Sequence, residues 1–349
     1  MGSAYSGKWP AGAAVCGSSA FHSDSAFPFS SAQPACLCGA EKAVRKRALS
    51  VHPLSHTDGE CHWQASGQRD AQKRDESSLH SAWLSLLEGA PLQNWLLYYP
   101  VERWLVQYTD ALITINGEDY ERADRLSKEK AAVHYVPGMG VDMKRFAPVD
   151  DTEKDRLRKA YGFTTQDFIV LCAGELNDNK NQGMLIKACA QVYRNIPHVK
   201  IVFAGEGTSR SSYEKLVCQL NLEEHVQFAG FCKHIEEWMH LSDVCVSTSL
   251  REGLGMNLLE AMSAEKPVIA TENRGHCELV KHGVNGFLVK PHDVNGLAVY
   301  LQQLYHKKDQ LHLMGKAGRS MAHAFAQEQT VSAMEEIYTT YMDQKEKVM

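Results

Sequence analysis

The chain has 349 residues, of which 44% are hydrophobic, and this is enough to form the cores of two domains. Its net charge of −5 at pH 7 provides no general basic surface, so nucleic acid is excluded as a partner. No apolar run reaches the roughly 18 residues of a membrane-spanning helix, and no secretory signal pattern is found, so we expect a cytoplasmic protein.

The segment 1–87 is rich in Ser, Ala, Gly and His and shows no sustained helical or strand periodicity. We therefore predict that it is disordered or unrelated to the rest of the chain. Its Cys36, Cys38 and Cys61 lack the paired spacing of a zinc site. The cysteines after this segment are widely spaced in the sequence, which is typical of reduced thiols in a protein core. No metal site is predicted.

From Gly89 onward, short apolar runs alternate with helix-length segments. A helix is predicted at 117–130, between strands at 111–115 and 133–136. After the connection 137–148, further strands are predicted at 168–173, 200–204, 226–228, 244–247, 267–270 and 287–289. This alternation predicts an α/β fold with a doubly wound parallel sheet, whose ligands bind at the carboxyl ends of the strands.

The segment Ser249–Met262 combines a glycine-bearing turn with the start of a helix. Gly253 and Gly255 allow the backbone to approach a ligand closely, and the amides near Met256 and Asn257 offer hydrogen bonds and a positive dipole end to a phosphate. This pattern suits a diphosphate.

Two carboxylates lie eight positions apart in the same segment. Glu252 is in the turn and Glu260 is on the helix, so one can face a sugar while the other accepts hydrogen bonds from ribose hydroxyls. The alternative is a pair of solvated glutamates beside a turn.

A second loop, Gly174–Asn181, follows a predicted strand and precedes a helix. Lys180 is thereby expected near the same strand ends, where its ammonium could neutralise phosphate charge. The alternative is an ordinary exposed lysine. The segments Gly205–Gly207, Arg274–Glu278 and Gly283–Gly286 complete the ordered set.

This ordered set of motifs resembles glycosyltransferase family 4, and most of all the branch that builds capsular and exopolysaccharides. The resemblance covers about Gly89 to the C-terminus. It implies a GT-B fold in which the C-terminal Rossmann-like sheet is intact and the N-terminal Rossmann-like domain is mostly missing. It also implies a retaining transferase that moves sugar from a UDP-linked donor to a lipid-linked or polysaccharide acceptor without a cofactor or metal.

The resemblance also assigns roles to individual residues. Glu252 and Lys180 would be catalytic, with Glu252 near the donor sugar and Lys180 on the diphosphate. The donor-binding residues would be Glu260, Gly174, Gly253, Gly255, Met256 and Asn257. Many relatives carry arginine where this chain has Glu175, so phosphate neutralisation would depend more on Lys180.

The same resemblance divides the chain into four parts, of which the segment 1–87 is the first. Residues 88–137 would be a remnant of the acceptor-side domain, and residues 138–330 the sugar-nucleotide-binding domain. Residues 331–349 would form a helix that crosses back to the first domain. The aromatic segment Pro91–Tyr99 would then present an apolar surface, which favours aggregation or peripheral contact with the inner face of the cell membrane. The alternative is a buried helix.

A frameshift would explain the missing first domain. Codons compatible with Leu79–Leu87, read one base later, can encode Cys-Thr-Ala-His-Gly-Phe-His-Phe, which resembles the acceptor loop of the family. The same shift over Pro53–Gly59 can encode His-Cys-His-Thr-Pro-Met-Gly. The alternative is a divergent disordered segment, and the coding DNA distinguishes the two.

Three other functions remain open at this point. The chain could bind nucleotide sugar without transferring it, act as a UDP-sugar epimerase, or be a non-functional gene product. The linker and the spacing of the two glutamates disfavour the epimerase, which would act on the donor without an acceptor.

Overall fold

The computed structural model describes residues 106–128 and 130–346, together with isolated positions between 96 and 104. It also gives the backbone of three short strands: β1 (Val51–Ser55), β2 (Cys61–Ala65) and β3 (Leu79–Ser81). The predicted membrane-facing segment Pro91–Tyr99 lies mostly outside these residues.

The C-terminal unit is a six-stranded parallel sheet with helices on both faces. Its strands are β6 (Phe168–Ala173), β7 (Val199–Ala204), β8 (Val226–Gly230), β9 (Val244–Ser247), β10 (Val268–Thr271) and β11 (Gly286–Val289). Their order across the sheet is β11-β10-β9-β6-β7-β8. The predicted α/β fold with a doubly wound parallel sheet is therefore confirmed, and each predicted strand from 168 to 289 is present.

Helices connect these strands and continue to the C-terminus. They are α2 (Asp151–Ala160), α3 (Gly183–Val192), α4 (Arg210–Gln219), α5 (Ile235–Leu241), α6 (Met256–Ser263), α7 (Arg274–Leu279), α8 (Val294–His306), α9 (Lys308–Ala322) and α10 (Gln327–Glu346). None of the helices within the described ranges is both long and apolar enough to span a lipid bilayer.

The sheet separates two hydrophobic clusters, one on each face. Successive residues of β6 contribute alternately, with Val170 in one cluster and Ile169 and Leu171 in the other. This follows from strand geometry, because neighbouring side chains point to opposite faces. A strand covered on both faces must be apolar throughout, which is why β6 reads as an uninterrupted apolar run.

The other sheet is formed by strands that precede residue 137, and this portion is called the first-domain part of the chain. Its strands β4 (Ala111–Thr114) and β5 (Ala132–Tyr135) are parallel and flank helix α1 (Gly117–Ser127). The helix was predicted to reach residue 130 but ends earlier, because Lys128 adopts a left-handed conformation with φ of 45°. Asn116 caps its other end by accepting a hydrogen bond from the amide of Asp119.

Strands β1 to β3 lie where no strand was predicted. They have five, five and three residues, and β3 pairs parallel to β4. A free sheet edge can pair with a neighbouring segment through backbone hydrogen bonds, whatever the side-chain pattern of that segment. Periodicity alone could not reveal these strands.

The chain crosses between the two sheets twice at the same place. The amide of Val141 donates to the carbonyl of Phe325 at 2.9 Å, and the amide of Gln327 donates back to the Val141 carbonyl at 3.0 Å. Helix α10 then continues onto the first sheet, where Ile337 packs with Ala111 and Ile113. The C-terminal helix therefore contacts the first-domain strands. The predicted domain boundaries at 87, 137 and 330 stay predictions.

Candidate functional site

The site lies where the strand order of the large sheet reverses. The chain runs from β6 outward to β8 and then returns to place β9 on the other side of β6. In doubly wound sheets, ligands bind at such a point, at the carboxyl ends of the strands. A cleft of about 390 Å³ opens beside this point and is bordered by Gly174, Asn257 and Glu260.

Backbone packs directly against backbone at the floor of the cleft. Gly174 and Gly205 follow β6 and β7 and have φ values of 149° and 156°. A Cβ atom on Gly205 would lie 2.0 Å from the carbonyl oxygen of Gly174. Only glycine fits at residue 205, because this position lies directly against the Gly174 carbonyl.

Lys180, in the loop after β6, and Glu252, in the loop after β9, form an ion pair, and neither residue borders the cleft. Lys180 Nζ lies 2.5 Å from Glu252 Oε1, and the glutamate side chain is only 5% exposed. Thr248 Oγ1 donates to the Lys180 carbonyl at 2.8 Å, and the amide of Leu250 donates to the carbonyl of Asn179 at 2.8 Å. These hydrogen bonds tie the two loops together and bring the predicted catalytic residues into contact.

The turn before α6 has the backbone that its glycines predict. Gly255 has φ of 98° at the N-cap of the helix. Asn257 donates from Nδ2 to the Ala173 carbonyl at 2.9 Å, so its side chain holds the helix start against the end of β6. Asn257 and Glu260 border the cleft together with Gly174, whereas Gly253, Gly255 and Met256 do not.

Gly255 packs against a buried histidine. A Cβ atom on Gly255 would lie 3.1 Å from Cδ2 of His276. The Nδ1 of His276 is 2.8 Å from the Thr271 carbonyl oxygen and 3.0 Å from Nδ2 of Asn273. Burial lowers the pKa of His276 to about 4, so the ring is neutral and serves as packing beneath the turn.

Glu260 is half-buried at the cleft. Burial raises its pKa to about 7; the charge of Arg145 opposes this shift, and that of Glu236 adds to it. Arg145 is itself held by Glu236 Oε2, at 3.0 Å from Nε and 2.7 Å from Nη2. The carboxylate of Glu260 is therefore poorly solvated and suited to accept hydrogen bonds from a ligand.

This raised pKa predicts a pH-dependent stability. Native Glu260 binds a proton more tightly than the unfolded residue, whose pKa is 4.5, so its contribution to stability is lost as the pH rises from 4.5 to about 7. We expect the free energy of unfolding of Glu260→Gln, relative to that of the wild type, to increase by up to about 3 kcal/mol when the pH is raised from about 5 to about 8. Urea unfolding at both pH values measures this.

The matched control is Glu223→Gln, which alters an exposed glutamate. Its unfolding free energy should follow that of the wild type at both pH values. Parallel pH profiles for Glu260→Gln and the wild type would contradict the raised pKa.

Several residues at the site were not predicted. Phe231 borders the cleft directly after β8 and is 80% exposed. An aromatic residue at the carboxyl end of a strand is the signal that could have identified it. Arg145 and Glu236 carried no comparable signal, because they approach Glu260 only through the packing of separate elements.

Comparisons with known proteins bear on this geometry. The family model described as "Glycosyl transferases group 1" matches residues 153–321. The chain is 47% identical over 280 residues to the Bacillus subtilis (strain 168) protein "Putative glycosyltransferase EpsD", which covers 80% of this chain and 74% of that protein.

A more distant relative comes from Escherichia coli and is described as "UDP-Gal:alpha-D-GlcNAc-diphosphoundecaprenol alpha-1,3-galactosyltransferase". It is 28% identical over 229 residues, which is 64% of this chain and 58% of the relative. Among solved structures, Anabaena HepE in complex with UDP superposes with a TM-score of 0.64 at 23% identity, over 69% of this chain and 68% of that one. This likeness shows a shared GT-B fold.

Proposed function

Because the chain belongs to the glycosyl transferases group 1 family, we propose that it transfers a sugar from a UDP-linked donor to a lipid-linked or polysaccharide acceptor. We further propose that it is a retaining enzyme of glycosyltransferase family 4 that acts in cell-surface polysaccharide biosynthesis. The observation that carries this is the Lys180–Glu252 pair, whose lysine lies beside Gly174, a residue that borders the cleft together with Glu260.

The donor would lie along the cleft. Uridine would occupy the part bordered by Phe231 and Glu260, with the ribose hydroxyls donating to the Glu260 carboxylate. The diphosphate would pass Gly174, which has no side chain to obstruct it. Lys180 is adjacent, because a Cβ atom built on Gly174 would lie 3.9 Å from the Lys180 side chain. The start of α6 supplies amides and the positive dipole end to the same phosphates.

The chemistry follows from this placement. The bond between the anomeric carbon and the phosphate oxygen breaks, and its electron pair leaves with UDP. An acceptor hydroxyl forms the new bond to the anomeric carbon, and its proton passes to the phosphate oxygen of the departing UDP. Lys180 stabilises the charge that develops on the departing diphosphate, while Glu252 faces the sugar.

The acceptor side is inferred from relatives. The Escherichia coli relative is named for a diphosphoundecaprenol-linked acceptor. A lipid-linked acceptor would require peripheral contact with the inner face of the cell membrane. The proposal includes no metal ion, so activity should survive treatment with EDTA.

A binding function without transfer is the second candidate. The cleft residues Gly174, Phe231 and Glu260 all belong to the C-terminal unit, so this unit could hold a donor by itself. In the first-domain part, the described segments from 106 onward contain two parallel strands and one connecting helix. Donor binding without product formation would favour this candidate.

Calorimetric binding of UDP and 2′-deoxy-UDP tests the donor site. We expect the wild type to prefer UDP by roughly tenfold, because the deoxy ligand lacks one hydroxyl that Glu260 can accept from. Glu260→Ala should bind UDP roughly tenfold more weakly and should lose the preference between the two ligands. The control Glu223→Ala should behave like the wild type.

If Glu260→Ala still preferred UDP over 2′-deoxy-UDP as the wild type does, the ribose would not bind to this carboxylate. Absence of UDP binding by folded wild-type chain would overturn the proposed function.

A further inference from the structure

A buried polar cluster connects the first-domain part of the chain to the turn that contains Glu252. Asp119 lies in the first turn of α1, and Arg274 begins α7 of the C-terminal unit. Arg274 Nη1 lies 2.6 Å from Asp119 Oδ1, and the two side chains are 7% and 2% exposed. This ion pair joins residues that are 155 positions apart.

Side chains of the cluster hold two consecutive carbonyls of the turn. Arg274 Nε donates to the carbonyl of Glu252 at 3.3 Å. Asn116 Nδ2 donates to the carbonyl of Gly253 at 2.8 Å, and also to Asp119 Oδ2 at 2.8 Å. The turn is therefore anchored from outside, by residues of both sheets.

Glu252 is thus held at both ends. Its carboxylate contacts Lys180 and its carbonyl contacts Arg274, whose guanidinium is oriented by Asp119. We propose that Asp119 and Arg274 are positioning residues, which set Glu252 in the orientation that receives the donor sugar. This inference rests on the proposed function, because it requires a sugar to lie against Glu252.

The need for stability does not account for the cluster. A buried ion pair gains little over apolar packing, because both charges lose their hydration. What the pair does provide is a defined geometry, since a guanidinium donates in fixed directions to a carboxylate and to a carbonyl together. Through this geometry, the first-domain part of the chain influences the sugar end of the cleft.

In the proposed placement, the nucleotide contacts residues outside the cluster. Gly174, Phe231 and Glu260 border the cleft, whereas Glu252 and the cluster residues Asn116, Asp119 and Arg274 do not. Disturbing the cluster should therefore weaken contacts with the sugar and leave contacts with uridine and diphosphate in place. A general loss of structure would weaken both.

The test compares affinities for UDP and for the UDP-sugar that the wild type binds most tightly among UDP-glucose, UDP-galactose and UDP-N-acetylglucosamine. Asp119→Asn keeps the size of the side chain and removes its charge, and Arg274→Lys removes the fork of donors. In both variants we expect UDP affinity to stay within about twofold and the affinity ratio of UDP-sugar to UDP to fall roughly tenfold. The control Glu121→Gln alters an exposed residue of the same helix.

An unchanged ratio in both variants, or an equal loss for both ligands, would overturn the inference. Amide hydrogen exchange over residues 250–255 provides a second measurement that needs no ligand. We expect roughly tenfold faster exchange in Asp119→Asn and Arg274→Lys than in Glu121→Gln. If the wild type binds no UDP, the proposed function fails, and unchanged exchange would independently show that the cluster does not anchor the turn.

Discussion

Replacing Lys180 by alanine is expected to lower the affinity for UDP by about a hundredfold. The ammonium of Lys180 is the charge-assisted donor next to Gly174, and loss of such a contact to a phosphate costs up to about 3 kcal/mol. The substitution also leaves the buried Glu252 carboxylate without the partner that lies at 2.5 Å, and this negative charge would then repel the diphosphate. Calorimetric titration with UDP measures the effect.

Lys187 provides the matched control, because it is an exposed lysine on the helix that follows the same loop. Lys187→Ala should bind UDP as the wild type does. Lys180→Arg retains the charge with a different shape and should give an intermediate affinity. If Lys180→Ala binds UDP within about threefold of the wild type, the diphosphate lies elsewhere.

Replacing Gly205 by alanine is expected to destabilise the protein by about 3 kcal/mol and to abolish UDP binding. With φ of 156°, Gly205 has a backbone conformation that side chains rarely adopt, at a cost of about 1–3 kcal/mol. The added Cβ atom would also overlap the Gly174 carbonyl, which lies 2.0 Å away and belongs to rigid backbone. Relief of this overlap must push the ends of β6 and β7 apart.

The control for Gly205→Ala is Gly283→Ala. Gly283 has φ of 79°, but nothing lies within 4 Å of its would-be Cβ atom, so only the conformational cost applies, about 1 kcal/mol. Urea unfolding and UDP titration of both variants separate the two costs. Equal destabilisation of both variants with UDP binding retained would show that the contact between Gly174 and Gly205 is not essential to the cleft.

Much of the fold was predictable because its signals are local. The strand at 168–173 is a continuous apolar run, and Gly253 and Gly255 indicate the turn before α6. Both properties depend on near neighbours in sequence. The short strands before residue 87 had no such signal, since pairing at a sheet edge needs backbone and no particular side chains.

For the candidate site, the sequence alone indicated two segments. Gly174–Asn181 and Ser249–Met262 both follow strands, and parallel strands direct their carboxyl ends to one edge of the sheet. Lys180, Glu252 and Glu260 could be selected on this basis. Their proximity could not, because it depends on β9 lying beside β6, and strand order is a property of the assembled sheet.

Only the tertiary structure decided the chemical environment of these residues. The raised pKa of Glu260 depends on burial and on the charges of Arg145 and Glu236, which lie on other elements. The support of Glu252 by Arg274 and Asp119 joins segments of both sheets. Electrostatic and hydrogen-bond energies depend on distances in space. The folded arrangement of the chain sets those distances, and local sequence patterns do not contain them.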